Sequence, residues 1–178
     1  MKILGRIAWC LCLLGCTNSI SEPVHIRMRT DYGEMVFRLS SGTPLHRDNF
    51  LHQLEKGTWE GAVFNRVVKD FVVQGGCEDL PDGRIEAASW IPGEFSDSLT
   101  HRFGALGMGR DANAAKQSAD CQFYIVTHPE GLSRLNGDYT IFGQLIKGEE
   151  VLRQLNHAQP NTEEAAPAIP VFIEPISY

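Results

Sequence analysis

Clustered positive charge is missing from this sequence. Lysine and arginine number 16 against 22 acidic residues, a formal charge of −6. A protein that neutralises nucleic-acid phosphates needs grouped cations, so no nucleic-acid partner is expected. Long hydrophobic runs are absent too. The longest unbroken apolar stretch, Ile7 to Leu14, falls short of the roughly 20 residues of a spanning helix. That excludes a polytopic membrane protein but leaves room for an attachment. No two histidines sit at i, i+4 spacing and no Cys-x-x-Cys occurs, so no metal site is expected. A phosphate-cradling glycine loop is lacking as well. Gly107-Met108-Gly109 has neither the third glycine nor a strand-to-helix setting, and no cofactor is expected. There is no internal repeat and no break in composition. Apolar residues make up 43% and charged residues 21% of 178, values of a single globular domain.

What is present begins at the N-terminus. Lys2 and Arg6 precede the apolar run, and Leu13-Leu14-Gly15-Cys16 closes it. A basic start, a short apolar stretch and a small residue before the cut describe an export signal. The tetrapeptide resembles a bacterial lipoprotein signal, which implies cleavage before Cys16 and acylation of that cysteine. The expected organisation is a signal peptide over residues 1–15, a short tether over 16–23 and one domain over 24–178. Several acyl chains, at ~0.8 kcal/mol per buried CH₂, would hold such a protein at a membrane. The expected location is therefore the bacterial cell envelope, lipid-anchored and facing the periplasm or exterior. Thr17 to Pro23 reaches at most ~25 Å at ~3.5 Å per residue, so the domain would lie close to its anchor. Processing removes Cys10 and Cys12, and acylation consumes Cys16. Cys77 and Cys121 then remain in a compartment where disulfides persist. Whether they lie close enough to pair is not readable from the chain.

From Val24 the pattern changes. Val24, Ile26 and Met28 alternate with His25, Arg27 and Arg29, the period of a half-buried strand. Asp31-Tyr32-Gly33 is turn material, and Met35 to Leu39 completes a hairpin. Thr43-Pro44 supplies an N-cap and a first-turn proline. The helix that follows places Leu45, Phe50, Leu51 and Leu54 near one face and stops at Gly57. Short apolar segments come next: Ala62–Val68, Phe71–Val73, Phe103–Met108, Gln122–Val126 and Thr140–Ile146. Lys147 to Leu155 reads as a second helix. Asn156 to Pro170, with Glu163 and Glu164, reads as an exposed loop, and Val171 to Ile176 as a last strand. Many short strands with only two helices predict a mainly β chain, a closed antiparallel barrel. A hollow, ligand-carrying barrel fits poorly, because the abundant Phe, Leu and Val predict a filled interior.

The most informative residues lie in four blocks. They are Phe64-Asn65-Arg66-Val67-Val68-Lys69-Asp70-Phe71-Val72-Val73-Gln74-Gly75-Gly76, Gly104 to Arg110, Gln122-Phe123-Tyr124-Ile125-Val126-Thr127, and Leu135 to Gly143. Their order and spacing resemble the cyclophilin family of peptidyl-prolyl cis-trans isomerases, from Val24 to the C-terminus. The resemblance implies an eight-stranded antiparallel barrel capped by two α-helices. It also implies an outer groove that takes an extended peptide around a proline. Arg66 matches the family's catalytic arginine, and Gln74 its partner. Phe71, Val72, Gly109, Gln122, Phe123, Tyr124, Leu135 and Tyr139 match groove positions, with Phe71, Tyr124 and Leu135 around the prolyl ring. Backbone groups near Asn113 match the far side of the groove.

The chemistry suits these residue types. Rotation about an X–Pro bond faces a barrier near ~18–20 kcal/mol. A twisted amide leaves a pyramidal nitrogen lone pair, and a fixed guanidinium donates to it only in that state. Neither nucleophile nor metal is required. Three positions depart from the family's common pattern. Arg134 stands where tryptophan is frequent, Tyr139 where histidine is, and Val72 where methionine is. Weak binding of cyclosporin-type inhibitors is expected in consequence. The partners implied are proline-containing polypeptides and a membrane, with the chain a monomer and a helper of protein folding. The alternative reading is a chaperone-like module that grips proline peptides with little turnover.

Overall fold

The computed structural model describes residues 23–158 and 169–177. The expected signal peptide, Cys16 and the tether up to residue 22 lie outside the described residues, as do Glu163 and Glu164. No helix among the described residues is long and apolar enough to cross a membrane.

In chain order the elements are β1 (His25–Thr30), β2 (Gly33–Leu39), α1 (Pro44–Glu55), β3 (Val63–Val68), β4 (Val72–Gly76), β5 (Trp90–Ile91), β6 (Ala105–Met108), β7 (Ser118–Ala119), β8 (Gln122–Val126), a 3₁₀ turn (Ser133–Leu135), β9 (Ile141–Lys147), α2 (Glu149–Asn156), β10 (Ile169–Pro170) and β11 (Phe172–Ile176). Nine strands form one sheet in the order β10-β3-β4-β8-β6-β9-β2-β1-β11. Every pairing in it is antiparallel. Its two edge strands are successive pieces of one C-terminal segment, separated by Val171. β10 pairs with β3 while β11 pairs with β1. One segment thus covers both open edges. Counted as one strand, it gives the eight-stranded barrel that was expected. Closure removes the exposed edges that would otherwise recruit other chains.

Strand alternation fills the interior. Phe37, Phe64, Phe123 and Phe142 are fully buried, together with Ile26, Met28, Met35, Leu106, Met108 and Ile125. α1 contributes Phe50 and α2 contributes Leu152 and Leu155 as plugs. Phe50 lies 5.2 Å from Trp59 and 5.7 Å from Phe123 between ring centroids. Each such side chain contributes about 1.5–3 kcal/mol on burial. The barrel is a packed core and not a ligand cavity, as the apolar content predicted.

Three local expectations are corrected. The buried face of α1 is His46, Phe50 and Gln53, while Leu45 is exposed. Thr43 makes no capping bond. The Glu94 carboxylate instead accepts from the Leu45 and His46 backbone N–H groups at 3.1 and 3.0 Å. A distant acid satisfies the positive end of the helix, which the local sequence does not encode. The expected 156–170 loop is also shorter at both ends. Asn156 closes α2 and is buried, and Ile169–Pro170 is a strand whose Ile169 is buried.

A disulfide joins Cys77 to Cys121, with Cα atoms 5.4 Å apart. It follows from the register of β4 and β8, in which Gly76 faces Gln122. The two cysteines are the next residues outward. The bridge closes a loop of 44 residues in sequence, which restrains the unfolded chain by about 4 kcal/mol on chain-entropy grounds.

Two stability predictions follow from these contacts. The double variant Cys77→Ala/Cys121→Ala loses about 3–4 kcal/mol of unfolding free energy in urea titration. A loss below about 1 kcal/mol would contradict the structural role. His46 is fully buried, its Nδ1–H donating to Glu94 at 2.7 Å and its Nε2 accepting from Ser118 at 3.0 Å. Burial pushes its pKa below the ordinary value of 6.5, against the opposing pull of Glu94. The unfolded chain therefore binds the proton more readily. His46 contributes stability that is complete above about pH 6.5 and is lost as pH falls from there toward the folded-state pKa. His46→Gln should flatten the stability curve as pH falls below about 6.5, by at most about 1.4 kcal/mol per pH unit. An unchanged slope there would remove His46 from the acid response.

Candidate functional site

β3 and β4 build the centre of the site. Their register places Arg66 opposite Gln74, and Val67 opposite Val73. Val67 and Val73 point into the core, so by alternation Arg66 and Gln74 point outward. A register shift between Phe64 and Arg66 accommodates Asn65, whose side-chain amide donates to the Gly76 carbonyl at 2.8 Å. Arg66 Nη1 donates to Gln74 Oε1 at 3.2 Å. Gln74 turns its own Nε2 to the Asp79 carboxylate at 3.4 Å. Gln122, from β8, donates to the same carboxylate and to the Cys77 carbonyl, both at 2.9 Å. The guanidinium is therefore held by a relay of amides that ends on one carboxylate beside the disulfide. Asp79 carries no sequence motif, and its importance appears only in the folded chain.

These polar groups edge a surface groove of about 240 Å³. Its apolar part is formed by Phe71, Val72, Tyr124, Leu135 and Tyr139. They belong to a second apolar cluster, with Ala105, Val126, Leu132 and Ile141, on the outer face of the sheet. Gly109 and Gln122 complete the lining that the resemblance implied, and Arg110 and Asp79 add to it. Phe123 is the correction. It was expected in the groove, but it is fully buried in the barrel core against Phe50, Trp59 and Phe64. The period of two along β8 sends Gln122 and Tyr124 to the groove and Phe123 to the opposite face.

The hydroxyl of Tyr124 has a partner that the sequence did not announce. It donates to His101 Nε2 at 2.7 Å, while His101 Nδ1–H donates to Asn136 Oδ1 at 2.8 Å. Asn136 thereby sets the tautomer that makes Nε2 an acceptor. Burial, with the nearby Tyr139, holds the Tyr124 phenol well above its ordinary pKa. Burial also lowers the pKa of His101, against the hydrogen bond it donates to Asn136. Both groups therefore stay neutral near pH 7. The result is an immobile aromatic wall, with the rings of Tyr124 and Tyr139 edge to face at 6.0 Å. Gly107 makes room for it, because a Cβ there would collide with the Tyr124 ring. Gly109 does the same for the Gln122 side chain.

Arg110 closes the other side. Its guanidinium lies 4.6 Å from the centre of the Tyr139 ring. Its N–H groups donate to the carbonyls of Asp138, Asp111 and Asn113 at 2.7, 2.8 and 3.3 Å. Asn113, expected near the far side of the groove, organises this loop through bonds to Asp111 and Gln117. Arg134, from the 3₁₀ turn, lies 5.1 Å over Phe71 at the rim. The site can thus present a fixed, permanently charged donor next to an apolar notch, which is what stabilising a twisted amide beside a prolyl ring requires.

Comparison with known proteins agrees with this geometry. Residues 25–177 match the family model for cyclophilin type peptidyl-prolyl cis-trans isomerases. A peptidyl-prolyl cis-trans isomerase of Arabidopsis thaliana is 32% identical over 150 residues, covering 80% of this chain and 87% of that protein. One from Acinetobacter baylyi is 28% identical over 141 residues, covering 77% and 74%. Among solved structures, a Cryptosporidium parvum cyclophilin type isomerase, crystallised in the presence of the dipeptide Ala-Pro, superposes with a TM-score of 0.72. It shares 28% identity and covers 86% of this chain and 99% of that one. With its barrel, its outer groove and the Arg66–Gln74 pair in register, the chain belongs to the cyclophilin-type peptidyl-prolyl cis-trans isomerase family.

Proposed function

We propose that this protein accelerates rotation about X–Pro bonds in exported polypeptides, as a folding catalyst held at a bacterial envelope membrane. One observation carries the catalytic part: Arg66 Nη1 is held 3.2 Å from Gln74 Oε1 at the edge of an apolar groove. The prolyl ring seats against Phe71, Tyr124 and Leu135. The segment before it turns while the ring stays fixed. As the amide leaves planarity its nitrogen loses conjugation and gains a lone pair. Arg66 donates a hydrogen bond to that lone pair, and neither planar isomer can accept it. Each ~1.4 kcal/mol of such preference is a tenfold rate gain. Gln74 positions the guanidinium, and Gln122 and Gly109 face the peptide backbone.

The export part rests on Lys2, Arg6, the apolar run and Leu13-Leu14-Gly15-Cys16. The Cys77–Cys121 disulfide supports it, because such bonds persist in oxidising compartments and are rare in the cytosol. Acylated Cys16 is the anchor, and Pro23, where the described chain begins, is exposed. Thr17 after Cys16 lacks the acidic character that retains some lipoproteins at an inner membrane, which favours the outer one.

Arg66→Ala should lower kcat/KM for cis-to-trans relaxation of an Ala-Pro peptide roughly a hundredfold, the scale of losing one preorganised donor. Two-dimensional exchange NMR on the same peptide reads binding and exchange together. Binding without faster exchange in the unaltered protein would replace catalysis by a proline-binding module. For the anchor, the full-length protein should partition with membranes and incorporate labelled fatty acid. Cys16→Ser should do neither, and equal partitioning of the two would remove the lipid attachment.

A further inference from the structure

Arg66, Arg110 and Arg134 surround the prolyl notch, and among the described residues none of them forms an ion pair. Arg66 donates to the Gln74 amide. Arg110 donates to three backbone carbonyls and stacks on Tyr139. Arg134 stacks on Phe71. Five other arginines are paired instead. Arg27, Arg29, Arg47, Arg84 and Arg153 each sit within reach of a carboxylate. Arg38 and Arg102 also lack an ion pair among the described residues, but they share their surface pocket with the paired Arg47, whereas all three arginines at this groove are without a carboxylate.

The acids nearest the groove are already engaged. Asp138 pairs with Lys116 at 2.5 Å. Asp70 receives the Asn156 amide at 2.9 Å and faces α2. Asp79 accepts from Gln74 and Gln122, and it follows β4, whereas Phe71 with Arg134 precedes it. The groove is therefore electrically polar along β4. Its Asp79 end carries negative charge, and its Phe71 end carries the guanidinium of Arg134, with the Asp70 carboxylate there turned toward the Asn156 amide of α2.

We propose that Arg134 is a specificity residue that selects peptides with an acidic side chain next to the proline, on the flank that meets Phe71. This rests on the groove being the peptide site proposed above. Successive residues of an extended peptide are ~3.3 Å apart, so the neighbour of a seated proline lies beneath the Arg134 side chain. Stacking on Phe71 restricts the guanidinium before any ligand arrives, which reduces the ordering cost of pairing. Arg66 and Arg110 add attraction of the same sign. An acid on the opposite flank meets Asp79 and gains nothing.

The test uses the full-length protein and two peptide series, Ala-Xaa-Pro-Ala and Ala-Ala-Pro-Xaa, with Xaa either Glu or Gln. In one series the Glu peptide should exceed its Gln counterpart about fivefold in kcat/KM at low salt, the upper end for an exposed ion pair. The other series should show no Glu advantage. The ratio should shrink toward one at high ionic strength. Arg134→Gln should abolish it, and Arg134→Lys should keep part of it. Equal turnover of Glu and Gln peptides in both series overturns the proposal, as does a ratio that survives Arg134→Gln. The Gln peptides read the isomerase activity by themselves. If they show no acceleration, the proposed catalysis fails, while the Glu-to-Gln ratio of dissociation constants, measured by NMR titration, still decides the role of Arg134.

Discussion

The pairing of β3 with β4 is the constraint on which the rest depends. Opposing Arg66 with Gln74 brings a permanent cation and an amide into one outward-facing row. The same register sends Val67 and Val73 into the core. A slip by one residue would exchange these faces, burying the cation and exposing two valines. The packing that stabilises the barrel therefore also specifies the site. The Asn65 irregularity, tied to Gly76 by a hydrogen bond, belongs to the same arrangement and holds the strand ends together.

Around that pair the molecule is stiffened from two directions. On one side Gln74 and Gln122 converge on Asp79, and Gln122 also binds the Cys77 carbonyl next to the disulfide. On the other side the Asn136–His101–Tyr124 chain fixes an aromatic wall. An enzyme that neither makes nor breaks a covalent bond depends on differential binding of a short-lived geometry. Freedom in the donor or the wall would let the site relax toward the planar amide and lose that difference. The side chains of Gln74, Gln122, His101 and Tyr124 are accordingly satisfied by one another and by the groups around them.

The closed barrel leaves its inside unavailable to ligands, so recognition happens on the outer face. That face carries its own apolar cluster of Val72, Ala105, Tyr124, Val126, Leu132 and Ile141. A smaller cluster of Ile85, Ala119 and Cys121 sits beside the disulfide. The groove on the first of these patches combines an apolar floor with arginine around its rim. Its chemistry is set by residues whose neighbours in space are far apart in sequence.

The sequence by itself determined the longer strands and both helices, because alternation at Ile26/Met28 and the Thr43-Pro44 helix start are local signals, while the two-residue strands Trp90–Ile91, Ser118–Ala119 and Ile169–Pro170 carry none. It also carried Arg66, Gln74 and most of the groove in contiguous blocks, since each block is one strand or turn. It could not place Phe123, whose side depends on the strand phase, or decide whether Cys77 met Cys121. Nor did it reveal Glu94 at the α1 start, Asp79 under the two glutamines, or His101 behind Tyr124. Glu94 lies 48 residues from His46, His101 lies 23 from Tyr124, and Asp79, only 5 from Gln74, lies 43 from Gln122. Only closure of the barrel brings them within hydrogen-bonding distance, so only the tertiary structure could decide them.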